Sequence, residues 1–232
     1  MSKKDYRIYE GLRFASCLTF ISGFMNAFTL VTQGGRFAGI QSGNVVYFAY
    51  YLAQGHVTRA VPFLLPIFFF MLGQCLTYLA RSYCVNRGLP WHLSGSLIMT
   101  ALVLLAIILN PMIGHSLTIA ILSLAASVQI ETFRHLRGAP YTNVMMTGNL
   151  KNSAYLAFKG WMEKDKALFR QGGYILLAII SFGLGVALST SLSLKFGESA
   201  LCFLMLPSMY LNYQLWQEKQ SKDQSQVKIS RK

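Results

Sequence analysis

The sequence predicts an all-α polytopic membrane protein of six spanning helices and two short re-entrant ones, made by an inverted internal duplication. Three observations predict it: a scarcity of charge, long windows without any charge, and a tripeptide that returns 105 residues later among the same elements. Of 232 residues 53% are hydrophobic and 12% charged, with a mean hydropathy of +0.42. Ordinary soluble domains carry about 25% charge, so this chain cannot clothe a globular surface with ions. A soluble enzyme is disfavoured.

No charge lies between Arg13 and Arg36, between Arg36 and Arg59, or between Arg59 and Arg81. The stretches Gly88 to Ile130, Gln171 to Leu194 and Ser199 to Gln217 are also uncharged. A bilayer core needs roughly 20 apolar residues of helix, and these windows match that length or double it. The balance of 21 basic to 8 acidic residues, net +13, therefore points to a membrane surface. Nucleic acid is not expected as a partner, because no basic patch on a polar domain remains.

Residues 1–13 form a basic cytoplasmic segment that precedes a retained first helix, Phe14 to Gln33, ended by Gly34-Gly35. A shorter segment follows over Ser42 to Gln54, and helix 3 over Ala60 to Tyr83. Helix 4 spans Trp91 to Leu109 and helix 5 Ser116 to His135, separated at Asn110-Pro111 and Gly114. Segment 6 runs from Thr147 to Gly160, helix 7 from Gly172 to Leu194 and helix 8 from Glu198 to Trp216. The polar, basic tail 217–232 reads as disordered and cytoplasmic.

Shifted by 105 residues, Ser42-Gly43-Asn44 falls on Thr147-Gly148-Asn149, and Ala49, Tyr50 and Gly55 fall on Ala154, Tyr155 and Gly160. Ser22 matches Ser127 and Phe28 matches Phe133. With seven further residues of shift, Phe70-Met71-Leu72-Gly73 matches Phe182-Gly183-Leu184-Gly185. Repeat 1 thus covers residues 14–110 and repeat 2 residues 111–216.

Charge chooses between arrangements. If all eight segments span, Lys and Arg other than Lys151, which lies within a segment, divide 14 inside to 6 outside; if the two short segments dip in and return, they divide 17 to 3, with Arg36, Arg59 and Lys195 outside. Positive-inside bias favours the second, with both termini cytoplasmic, and eight spans remain the alternative. Three spans per half invert the second half, a pattern typical of transporters.

In each tripeptide the hydroxyl residue suits a helix N-cap, the Gly permits close approach and the Asn offers a donor and an acceptor. Two helix N-termini meeting at mid-membrane would carry unpaired amides and partial positive charge. Ser42, Gly43, Asn44, Thr147, Gly148 and Asn149 are thus expected to line a site for a small polar or anionic solute, as a transporter or channel. The competing reading makes them helix-packing devices of a non-transporting scaffold or accessory subunit.

Glu131, which the register pairs with Asn26, is a coupling group or one member of a salt bridge with Arg134 and His135. Lys151 lines the cavity or snorkels to the surface. The histidines have no second ligand at metal spacing, so no metal and no cofactor are expected. Cys17, Cys75, Cys84 and Cys202 read as packed thiols. Gln33-Gly34-Gly35-Arg36 and Gln171-Gly172-Gly173 lack the ending of a phosphate loop. No nucleophile and base fall together, so the chain is not expected to be an enzyme. Trp91, Trp161, Tyr210, Tyr213 and Trp216 suit an interfacial belt.

Gly23-Phe24-Met25-Asn26-Ala27, then Gly34-Gly35 and Ser42-Gly43-Asn44, then Gln129 with Thr142 to Asn149, resemble the YoaK-like membrane proteins of bacteria (DUF1275) over about residues 14 to 215. In that family the first helix commonly reads Gly-Phe-Val-Asp-Ala and the motif Thr-Gly-Asn; here Asn26 and Ser42 depart from it. The resemblance implies residence in the bacterial plasma membrane, with lipids as partners and a homo-oligomer as an option. It implies no chemistry.

Overall fold

The structure, a computed structural model, describes residues 7–110 and 114–230, with side chains as far as Ser221. The first six residues, the Pro111 end of the helix 4–5 break and the last two residues of the tail lie outside the described residues. In chain order the helices are α1 (Leu12–Thr32), α2 (Gln41–Ala53), α3 (Val57–Ala60), α4 (Leu64–Asn86), α5 (Trp91–Leu109), α6 (His115–Thr132), α7 (Met146–Met162), α8 (Lys166–Phe196) and α9 (Met205–Ser230). Short 3-10 turns occupy Ile8–Glu10, Val61–Phe63 and Gly197–Leu204.

Two expectations change. Helix 5 was placed through His135, yet α6 stops at Thr132 and the chain forms a small antiparallel hairpin, β1 (His135–Leu136) with β2 (Ala139–Pro140). Arg137 (φ 51°) and Gly138 (φ 81°) both take the left-handed conformation that a two-residue hairpin turn requires. The tail, expected as disordered from residue 217, continues α9 to Ser230. Its Gln, Lys and Glu residues are good helix formers and extend an existing helix without a new nucleation step.

Four helical runs are long and apolar enough to cross a membrane: Leu12–Thr32, Val57–Asn86, Trp91–Leu109 and Lys166–Ser221. The last has 56 residues and holds both α8 and much of α9. The apolar helices are those of a membrane protein. Phe68, Tyr78, Leu194 and Leu206 stay at least 60% exposed, as side chains facing lipid would.

α1 is the interior helix. Its Phe14, Leu18, Ile21, Phe24, Met25 and Phe28 form the main core with Met99, Val103, Leu122 and Leu204. α1 and α8 run parallel, with Ala15 against Ile175 and Ala178 near their starts and Gln33 beside Glu198 at their ends. Midway a Cβ on Gly23 would collide with the Phe182 carbonyl, and one on Gly185 with that of Phe20. Backbone-to-backbone approach of this kind replaces the hydrophobic drive that lipid cannot supply between helices. α4 and α6 also run parallel, with Gly73 against Ser127, Gln74 Nε2 donating to Ser127 Oγ at 2.9 Å, and Arg81 beside Glu131.

The helix ends collect at two poles. At one, Tyr9 stacks on His92 with centroids 3.6 Å apart, and Arg81 and Arg134 meet Glu131. Leu215 and Lys219 of α9 border the same region beside Arg7 and Trp91. At the other pole His115 Nδ1 lies 3.3 Å from Gln33 Oε1 and 3.4 Å from Glu198 Oε1, while Thr118 donates to Asn110. Trp91, assigned to an interfacial belt by its type, is buried at 7% exposure, whereas Trp161, Tyr210, Tyr213 and Trp216 are exposed.

Candidate functional site

Both short helices, α2 and α7, begin away from the two poles, with Asn44 and Asn149 buried and Ser42, Thr147 and Gly148 exposed. The chain approaches α2 through Gly34 and Gly35, whose φ values of 74° and 76° permit the turn out of α1. Asn44, in the first turn of α2, then closes a ring with the approach segment. Its Oδ1 accepts from the Phe37 N–H at 2.9 Å and its Nδ2 donates to the Phe37 carbonyl at 2.8 Å. Nδ2 also donates to Gln41 Oε1 at 2.8 Å.

The second half repeats the device. Asn149 Oδ1 accepts from Thr142 N–H at 3.4 Å and its Nδ2 donates to the Thr142 carbonyl. Phe37 and Thr142 are themselves 105 residues apart, as are the two asparagines. Each amide thus ties the incoming segment to the first helical turn, seven residues on. The asparagine donors and acceptors that the sequence offered to a solute are engaged by backbone, and Asn44 and Asn149 are buried.

Asn26 serves the first half in another way. Its Oδ1 accepts from Gly39 N–H at 2.9 Å and Ile40 N–H at 3.1 Å, just ahead of α2, and its Nδ2 donates to the Ser22 carbonyl. Thr29 Oγ1 takes the Ala38 N–H at 3.1 Å. Glu131, at the matching register, instead meets Arg81 and Arg134 at the pole, with its side chain 18% exposed. In the second half Gln129 and Asn143 do the joining. Gln129 Nε2 donates to the Leu18 carbonyl at 2.8 Å and Asn143 Nδ2 to that of Phe133 at 2.7 Å. Neither was singled out as a site residue by residue type, although a Gln within an apolar window is itself a signal of a buried polar link.

The two approach segments touch where Gly39 faces Val144, again 105 residues apart; a Cβ on Gly39 would come within 2.6 Å of Val144 Cγ1. Beside this contact lies a cavity of about 700 Å³. Gly39 to Ser42 border it from one side, Pro140 to Thr142, Val144 to Asn149 and Asn152 from the other, and Phe70 and Phe182 also border this partly open space. Those two phenylalanines are the matched pair of the 112-residue register.

Of the expected site residues, Ser42, Thr147, Gly148 and Asn149 border the cavity. Gly43 lies under the Phe37 ring, and Asn44 is turned to its backbone ring. Lys151 is exposed and does not border the cavity. No Lys, Arg, Asp or Glu is among the bordering residues. Tyr141 reaches its hydroxyl to that of Thr19, so its polar end is tied to α1. The wall is mostly apolar, with hydroxyl and amide groups placed at intervals. It suits a small uncharged polar or amphipathic molecule, which would meet first-turn amides at the helix starts. Among the described residues no group of three or more His, Cys, Asp or Glu side chains gathers as metal ligands would.

A helical bundle with apolar helices long enough to cross a membrane, holding two internal helix starts tied by matching asparagine rings, defines the class. The chain belongs to the family described as protein of unknown function (DUF1275), whose model matches residues 14–211. No curated protein and no solved structure matches the chain.

Proposed function

We propose that the protein is a multi-pass membrane transporter or channel whose solute passes through the cavity between the starts of α2 and α7. The observation that carries this reading is a cavity of about 700 Å³ between two internal helix starts that recur in register. The pole contacts support six traverses with α2 and α7 as half-helices directed to opposite poles. In that arrangement α1 with α8, and α4 with α6, are equivalent pairs of an inverted repeat, each joining the first long helix of one half to the second of the other. Arg7, Arg13, Arg81, Arg87, Arg134 and Arg137 gather towards one pole, which favours that pole, and both termini, on the cytoplasmic side of a bacterial plasma membrane. The uncharged wall narrows the solute to a small polar, neutral molecule; an anion would find only helix-start amides.

Gly148 gives a clean test. It borders the cavity, and a Cβ there would meet nothing within 4 Å. Gly148→Trp should fill the space while the protein still folds. In proteoliposomes loaded with a panel of small neutral polyols, amides and monocarboxylates, wild type should speed the osmotic response to at least one solute, and Gly148→Trp should reduce that rate at least tenfold. Rates equal to empty liposomes for every solute overturn the transport reading. The asparagine rings favour a second reading, a non-transporting membrane scaffold, because both amides are satisfied by their own backbone.

A further inference from the structure

A second cavity, of about 390 Å³, adjoins the central one. Phe70, Pro140, Tyr141, Thr142 and Met145 border both spaces, so one leads into the other. Gln74 of α4, with Ile130, Glu131 and Arg134 from the end of α6 and just beyond it, completes the second. It therefore runs from the centre towards the pole where α1 begins, because Glu131 there meets Arg81 and Arg134. Phe70 and Arg81 are eleven residues apart on α4, about 16 Å of helix, which is roughly half of a bilayer core about 30 Å thick.

Two features set this space apart from a groove filled by lipid tails. From Tyr141 to Met145 the backbone is neither helix nor strand, and Met145 is 53% exposed. At membrane depth such a segment is tolerated where protein buries it or water fills the space beside it. Gln74 and Glu131, moreover, are polar groups that a wall facing lipid would penalise. A wet passage accounts for both.

The matched positions of the other half are closed. Met25, Asn26 and Thr29, which the 105-residue register sets against Ile130, Glu131 and Arg134, are 0–1% exposed. Asn26 and Thr29 also direct their oxygens to the approach to α2, holding the N–H groups of Ala38, Gly39 and Ile40. The fold is thus open beside one approach segment and sealed beside the other.

We propose that this passage is the solute's path between the central cavity and the pole where α1 begins, with Glu131 and its two arginines at the mouth, while the matched side is shut. The proposal rests on the transport reading for what uses the path. It adds the one-sided access that an inverted repeat would alternate between its halves.

The test is thiol labelling of the full chain in membrane vesicles of both orientations, with the four native cysteines replaced by serine. The reagent is an impermeant sulfonated maleimide, and exposed reporters, Arg87→Cys at the α1-start pole and His56→Cys after α2, show which side it reaches. Met145→Cys should react at least tenfold faster from the Arg87 side than from the other. Ile40→Cys borders the central cavity from the α2 side and should show the same preference. Ile130→Trp, within the passage, should slow the labelling of Met145→Cys at least fivefold while leaving that of Arg87→Cys unchanged; the sidedness of the two cysteines decides even where this variant does not fold. Faster labelling from the His56 side, equal rates from both sides, or labelling by an apolar maleimide alone overturns the proposal. The readout needs no solute: one-sided labelling in a protein that moves no solute of the panel keeps the passage and removes the transport reading, whereas flux with labelling from the His56 side does the reverse.

Discussion

The approach to α2 and the approach to α7 have the same asparagine ring, yet different supports. On the first side Asn26 holds two consecutive N–H groups of the incoming segment from a position 1% exposed, and Thr29 holds a third. On the second side Glu131 has left the interior for a pair of arginines, and Gln129 and Asn143 tie the segment by carbonyl contacts instead. The cavity wall reflects this. Most of it comes from residues 140–152, while the first segment contributes only Gly39 to Ser42. Two elements in matching register can thus keep the bond that starts each helix while one is fastened and the other is opened towards a space.

The largest test of this difference compares the two register partners. Asn26→Leu removes the acceptor of one buried and one part-buried N–H group, each worth roughly 1–3 kcal/mol when left unpaired, so a loss of about 2–4 kcal/mol is expected. Glu131→Gln breaks a partly solvated ion cluster and should cost less than about 1 kcal/mol. Melting temperatures in detergent would measure both. Equal effects would show that the two positions have equivalent roles.

Asn44→Leu and Asn149→Leu come next. Each removes one ring, but the Asn44 ring has the shorter N–H bond, 2.9 against 3.4 Å, and a 2.8 Å bond to Gln41, where Asn149 adds only long contacts of 3.5 Å from Thr142 Oγ1 and 3.9 Å to Met146 Sδ. Asn44→Leu should therefore cost about 2–3 kcal/mol and Asn149→Leu about 1–2 kcal/mol. A larger loss for Asn149→Leu in the same melting assay would reverse the order of fastened and open copies.

Much of this was legible in the sequence because lipid and backbone impose coarse rules. The uncharged stretch and its Asn110-Pro111 break place α5 at Trp91–Leu109, and the repeated tripeptide places the starts of α2 and α7 within one residue. The 105-residue register, read from side-chain identity, extends to backbone contacts that no composition could reveal, such as Phe37 with Thr142 and Gly39 with Val144. What stayed hidden depends on tertiary direction. Residue type could not tell whether Asn44 faces a cavity or the chain seven residues behind it. Trp91 looks like a belt residue because amphipathic rings favour interfaces, but the fold buries it to 7% exposure. The hairpin after α6 escaped notice because Arg is an uncommon occupant of a left-handed turn position.

The smallest effect separates the two copies most finely, because it concerns the middle residue of each tripeptide. Alanine favours a helix over glycine by about 1 kcal/mol in an interior position, and by less in a first turn. At Gly148 the added methyl meets open space, so Gly148→Ala should stabilise by a few tenths of a kcal/mol to about 1 kcal/mol. At Gly43 the same methyl would come within 2.8 Å of the Phe37 ring, whose backbone is pinned by Asn44. The ring must shift, and overpacking of this kind costs about 1–3 kcal/mol, which outweighs the helical gain. Gly43→Ala should accordingly lower the melting temperature and Gly148→Ala raise it. Opposite signs at matched positions would locate the open side of the matched pair at α7, whereas two shifts of one sign would place equal space beside both helices.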